Sequence, residues 1–162
     1  SFAVRTTARK LCNIVKPGTV VVSVAKGIED GTSKRLSEAV GEELDASCPV
    51  VVLCGPTHAE EVGRGLPSAI VAVSKDQKAA ELVQDLFMNN RFRVYTSSDV
   101  VGAEIGAALK NVIALCAGIS DGMGFGDNTR AMLMTRGLTE MARLGVSMGA
   151  RRETQPRGAE GL

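Results

Sequence analysis

Two periods of hydrophobicity alternate along the first hundred residues. Residues 2–14 carry apolar positions at helical spacing and are closed by Lys16-Pro17-Gly18. Residues 19–25 form a β-branched run, as expected of a strand buried on both faces, and Lys26-Gly27 ends it. The spacing predicts an amphipathic helix over 33–44, then a buried strand over 49–54 stopped by Gly55-Pro56. A short helix is predicted over 57–63, with Thr57 as a suitable N-cap and Glu60 three residues on. A third strand over 68–74, a helix over 76–88 capped by Asp76, and a last short strand over 92–96 complete this part.

Beyond Ser98 only helical periodicity remains. It predicts helices over 101–116 and 128–144, the second capped by Asp127 or Asn128. Strands alternating with helices at this spacing mark an α/β layer with a mainly parallel sheet, followed here by an all-α part. The boundary is placed near residue 97, giving domains 1–97 and 98–162. Residues 151–162 read as a loop or the start of a helix.

Composition narrows the classes. The 162 residues are 44% hydrophobic and 23% charged, with 18 Gly and 5 Pro, a globular balance. A net charge of +1 supplies no basic excess for nucleic acid, and 3% aromatics supply no platform for stacking bases. No apolar run approaches the ~20 residues of a membrane helix, so no membrane span is expected. Cys12, Cys48, Cys54 and Cys116 form no CxxC pair, and the single imidazole, His58, is not placed beside a thiol. No metal site is expected, and the thiols suit a reduced, cytoplasmic setting.

Ligands of open α/β sheets lie beyond the carboxyl ends of the strands. Lys26 ends the first strand and could meet an anion there; a lysine snorkelling to solvent is the structural alternative. Cys54-Gly-Pro-Thr-His-Ala-Glu-Glu-Val62 follows the second strand. Its free N–H groups and the Thr57 hydroxyl suit a polar or anionic ligand, but an ordinary strand–turn–helix would look the same. His58 reads as a helix-surface or loop residue. Lys110 and Asn111 interrupt an apolar helix lined with small residues. A lysine there is costly to bury unless paired or functional, and burial or a nearby cation would lower its pKa into acid–base range. The Gly-rich stretch 122–126 follows no strand, so it reads as a tight turn. The sequence contains no strand–GxGxxG–helix unit, the usual cradle for a dinucleotide pyrophosphate.

Three segments taken together resemble the glycerol-3-phosphate dehydrogenase family, most closely its bacterial type. They are AKGIE (25–29), CGPTHAEEV (54–62) and ALKNVIALCAGISDGMGFGDNTRAMLMTRGLTEMARLG (108–145). ALKN followed by GFGDNT argues against 6-phosphogluconate and 3-hydroxyacyl-CoA dehydrogenases. The resemblance implies the C-terminal part of a Rossmann-like NAD(P)-binding domain joined to the start of a helical substrate domain. It implies interconversion of dihydroxyacetone phosphate and sn-glycerol 3-phosphate with NAD or NADP. Lys110 matches the catalytic lysine, acid–base for the C2 oxygen, and Lys26 a second lysine near cofactor and substrate. Gly55 and Thr57 match substrate-side positions, Asn111 a polar neighbour and Ala59 a residue beside the nicotinamide. Lys26 would help depress the pKa of Lys110.

The family's pyrophosphate turn, a downstream aspartate and a phosphate-binding arginine motif have no counterpart in these residues. The chain is therefore expected to be an internal piece, inactive alone, with an exposed sheet edge and apolar face. The alternative function is that of a binding or interaction module. A homodimer is left open.

Overall fold

The computed structural model describes residues 2–151. The expectation for the tail lies outside the described residues from 152 onward. In chain order the elements are α1 (Val4–Leu11), β1 (Val21–Ser23), α2 (Leu36–Glu43), β2 (Val50–Cys54), α3 (Ala59–Gly63), β3 (Ser68–Val73), α4 (Gln77–Phe87), β4 (Phe92–Ser97), α5 (Val100–Gly122) and α6 (Asp127–Ser147).

The strands lie side by side in the order β1-β2-β3-β4. β1 runs parallel to β2 and β3 parallel to β4, whereas β2 and β3 pair antiparallel. The sheet is thus mainly parallel, as expected, with one reversal at its centre. That reversal brings the carboxyl ends of β1 and β2 to the same edge as the amino ends of β3 and β4.

Strand periodicity sorts the core into two layers. Val51 and Leu53 of β2 join Ile70, Ala72 and Val94 beneath Ala79 and Val83 of α4. Val52 and Cys54 face the other way, packing with Val73 against Val100, Ala103 and Ala107 of α5. On that second face Val21 and Val50 also meet Ala8 of α1, Val40 of α2 and Leu44 at its end. Arg5 of α1 ties these helices together, donating to Glu29 at 2.8 Å and to Glu43 at 2.9 Å, with a further ion pair to Glu42. Arg5 holds Glu29, and Arg9 together with Arg5 holds Glu43, down to about pKa 2.

Several expected boundaries move. β1 spans only three half-buried residues rather than 19–25, because it stands at the border of the sheet with a neighbour on one side only. α2 starts at Leu36 after a small hairpin in which Ile28 pairs with Arg35. Asp76 caps α4 as expected, accepting from the Ala79 N–H at 3.1 Å. Thr57 does not cap α3: the N-cap position is His58, with no side-chain capping bond. Nor do Asp127 or Asn128 cap α6, whose N-cap is Gly126.

α5 is the largest departure. It continues past residue 116 to Gly122, 23 residues in all, so only 123–126 remain as the turn. It is long and apolar enough to cross a membrane by length and composition alone. The sequence reading missed this because Glu104, Lys110 and Asp121 break every long apolar run. Asp99 opens the helix by accepting from Gly102 N–H at 2.9 Å.

Candidate active site

The site begins at the sheet edge where β1 and β2 end. Lys26 stands three residues beyond β1, immediately before Gly27, whose φ of 126° suits glycine alone. Lys26 is half-buried. Cys54, buried, is the last residue of β2. α5 crosses the same face of the sheet with Ala103 and Ala107 packed on it, and the Ala103 carbonyl lies 4.0 Å from the Cys54 Sγ. Two further turns along α5, exposed, comes Lys110.

The electrostatics show which groups meet. The Lys26 ammonium is held below the ordinary lysine range, first by burial, then by the charge of Lys110 and a side-chain contact between the two amines. Cys54 acts in the opposite sense on Lys26. The Cys54 thiol is pushed up, mainly by burial and then by Glu104, with Lys26 opposing. Lys26, Lys110, Cys54 and Glu104 therefore share one neighbourhood. Cation–cation depression is resolved at Lys26, the more buried of the two lysines.

The other expected site residues lie on the segment that follows β2 and on α5. Gly55 follows β2 directly, and a Cβ there would lie 3.0 Å from both the Ala69 carbonyl oxygen and the Ile70 Cα. Close approach of β3 thus gives Gly55 a structural reason independent of any ligand. Thr57 is half-buried and donates its backbone N–H to the Gly55 carbonyl at 3.0 Å. Ala59 opens α3 and is exposed. α3 has only five residues, too short to offer much of a helix dipole to an anion. Asn111 is exposed and follows Lys110 on α5. His58 is exposed at the start of α3.

The buried carboxylate of Glu104 escaped the sequence reading. It is 5% exposed and accepts from Arg35 Nη1 at 2.9 Å, from the Ser37 N–H at 2.9 Å and from the Ser37 hydroxyl. Arg35, also buried, donates Nη2 to Glu38 at 2.7 Å. The available signal was the one that singled out Lys110, an ionisable residue inside an apolar helix. Its partner lies 69 positions away and could not be read locally. Among the described residues no group of acidic, histidine and cysteine side chains could hold a metal ion.

Residues 1–80 match the family described as NAD-dependent glycerol-3-phosphate dehydrogenase N-terminus, and residues 99–161 match its C-terminus. The chain belongs to the NAD-dependent glycerol-3-phosphate dehydrogenase family. Among curated members, the glycerol-3-phosphate dehydrogenase (NAD(P)+) of Clostridium acetobutylicum is 56% identical over 154 residues, 95% of this chain and 46% of that protein. The Moorella thermoacetica enzyme of the same name is 58% identical over 152 residues, 93% of this chain and 44% of its own length. The crystal structure of glycerol-3-phosphate dehydrogenase from Coxiella burnetii superimposes with a TM-score of 0.89 at 37% identity, covering 95% of this chain and 47% of that one. The Saccharomyces cerevisiae enzyme gives a TM-score of 0.84 at 28% identity, covering 97% and 48%. The chain thus spans about half the length of the dehydrogenases it matches. Its architecture is that of the family, a Rossmann-like sheet with helices followed by a helical region.

Proposed function

We propose that this chain carries the substrate-side half of an oxidoreductase that interconverts dihydroxyacetone phosphate and sn-glycerol 3-phosphate, using NAD or NADP. The observation that carries the reading is the meeting of Lys26 and Lys110 at the carboxyl edge of the sheet. A cationic pair in that crevice suits a substrate that is both a phosphate ester and a developing alkoxide. The residues present fit the nicotinamide end of a cofactor site: a half-buried cation, with small, exposed Ala59 opening the helix after β2 on the same sheet edge. A bound nicotinamide would supply the hydride for C2 or accept it in reverse.

The chain's own residues handle charge and proton. As C2 is reduced, negative charge builds on its oxygen. The Lys110 ammonium hydrogen-bonds that oxygen, stabilises the charge and delivers one proton, leaving an alcohol and a neutral amine that solvent reprotonates. Lys26 lies behind this pair as the second cation. Thr57 and Asn111 orient the substrate, and Gly55 lets the chain turn tightly beneath it. The division between the sheet domain and the helical domain is placed at residue 97. In this reading α5 is the first helix of the catalytic half and not a membrane span, because Glu104 binds its amino-terminal half to Arg35 of the sheet domain. The reaction would serve cytoplasmic supply of sn-glycerol 3-phosphate for glycerophospholipids.

The test joins this chain to the flanking segments of the Clostridium acetobutylicum relative. Oxidation of NADH and NADPH is followed with dihydroxyacetone phosphate. Substrate-dependent turnover is expected, with Lys110→Ala lowering kcat by about 10²–10⁴-fold. Near-normal turnover in that variant would remove Lys110 from its role. The 162-residue chain alone is expected to be inactive and to associate through its uncovered apolar surface, a second reading favoured by the exposure of Leu115, Ile119 and Met123 on α5.

A further inference from the structure

The loop that carries Lys26 and the helix that carries Lys110 are joined by one buried polar cluster. Two residues after Lys26, Ile28 pairs with Arg35 across the small hairpin, and Glu29 N–H donates to the Lys34 carbonyl at 2.9 Å. Arg35 is therefore placed by the same hairpin that places Lys26. Its guanidinium reaches across to Glu104 of α5 at 2.9 Å, and Ser37 adds a backbone N–H at 2.9 Å and a hydroxyl. Glu38 holds the other side of the guanidinium at 2.7 Å and accepts the Arg35 N–H at 2.9 Å. From Glu104 to Lys110 the helix rises about 9 Å, so a tilt or slide at Glu104 is carried directly to the amine.

We propose that Arg35, Ser37 and Glu104 are positioning residues that lock α5 to the Lys26 hairpin and so hold Lys110 beside Lys26. A buried ion pair is a poor source of stability, because desolvation of both charges offsets their attraction. Apolar residues of similar volume would join α2 and α5 at least as well. What they would not supply is direction. Glu104 is fixed by three donors, two of them from Ser37, and a carboxylate so held permits one placement of the helix. Among the described residues no hydrogen bond joins the cluster to either amine, and its influence runs through α5 on one side and the hairpin on the other. The groups facing Lys26 are Lys110 from α5 and Cys54 from β2, while Glu104 faces Cys54.

This inference rests on the reading that the two lysines form the reacting pair, and the experiment separates the two. The Lys26 side chain is titrated by NMR in the chimera completed with the flanking segments of the Clostridium acetobutylicum relative, its signal assigned by loss in Lys26→Arg. Lys110→Gln removes the neighbouring charge and is expected to raise the Lys26 pKa. Glu104→Ala should raise it by more than half as much, because Lys110 is released from its place. Glu104→Gln, which still accepts from Ser37, should raise it less. A chain in which Lys110→Gln moves Lys26 but Glu104→Ala does not would overturn the positioning role and leave the lysine pair intact. A chain in which Lys110→Gln leaves Lys26 unmoved would overturn the pair itself, and the inference with it. Loss of stability in Glu104→Ala without a change at Lys26 counts against the proposal, since a merely structural cluster would do that. If Glu104→Ala does not fold, Ser37→Ala takes its place: it keeps the ion pair, removes one donor and must shift Lys26 in the same direction.

Discussion

Two influences act on Lys26 in the same direction. Burial at the end of β1 disfavours its charge, and Lys110 disfavours it further. Between the depressed folded pKa and the ordinary lysine value, the folded chain holds fewer protons at this site than the unfolded chain. Stability contributed by this site therefore rises with pH across that alkaline window and is least favourable below it. Lys26→Met is expected to be more stable than the parent at neutral pH, the advantage shrinking as pH climbs toward about 10.4. Urea unfolding at a series of pH values measures this. A difference that stays constant with pH would mean that stem packing rather than charge decides. Such a gain in stability on removing a site residue is the usual trade between a strained site and function. Gly55 shows the opposite case, a matching position whose glycine is demanded by the approach of β3 alone.

At the scale of elements the decisive contact is between α5 and α6. Gly137 of α6 faces Ile113 of α5, and a Cβ on Gly137 would lie 2.5 Å from Ile113 Cδ1 and 2.8 Å from Cγ1. A β-branched side chain in a helix has one favoured χ1, so Ile113 cannot swing clear. In an uncrowded helix Gly→Ala would stabilise by about 1 kcal/mol. Overpacking of about 1–3 kcal/mol works against that. Gly137→Ala is therefore expected to destabilise the helix pair by about 1 kcal/mol, and Ile113→Ala in the same chain should recover part of the loss. Denaturant unfolding of the single and double variants reads the cycle, and a stabilised Gly137→Ala would show that the helices stand further apart. The pattern that made these elements legible is local. Val50 to Cys54 and Ser68 to Val73 declared themselves as short apolar runs bounded by Gly and Pro. The antiparallel pairing of β2 with β3 did not, since strand direction is set by the path of the chain between them. The end of α5 was misread because Gly118 and Gly122 look like turn residues while still fitting a helix. In the site, Lys26 and Lys110 stood out as cations against apolar neighbours, whereas Arg35 and Ser37 looked like ordinary residues of a polar hairpin until the fold set them against Glu104.

Among the described residues, α5 carries an uncovered apolar stripe. Along α5, Gly106 and Ile113 lie on the side that packs toward α6, near Met141 and Gly137. Val112, Leu115, Ile119 and Met123 recur at helical spacing on another side, and each is more than half exposed. The relatives are about twice as long, and among the described residues nothing lies over this stripe. A contiguous apolar stripe of this kind drives association in water. The 162-residue chain is therefore expected to bind hydrophobic dyes and to sediment as a mixture of assemblies that grows with concentration. Leu115→Glu combined with Ile119→Glu should shift that mixture toward monomer with helix content unchanged, because both side chains already face solvent. The same pair of changes in the chimera should do the reverse of helping: if the relative's flanking segments cover this stripe, two buried carboxylates would destabilise that longer chain strongly. Sedimentation of the short chain and thermal unfolding of the long one thus form a paired measurement. Improved dispersion together with lost stability would identify the stripe as an internal surface of the longer chain. Improved dispersion with stability retained would make it a face that stays outside in both.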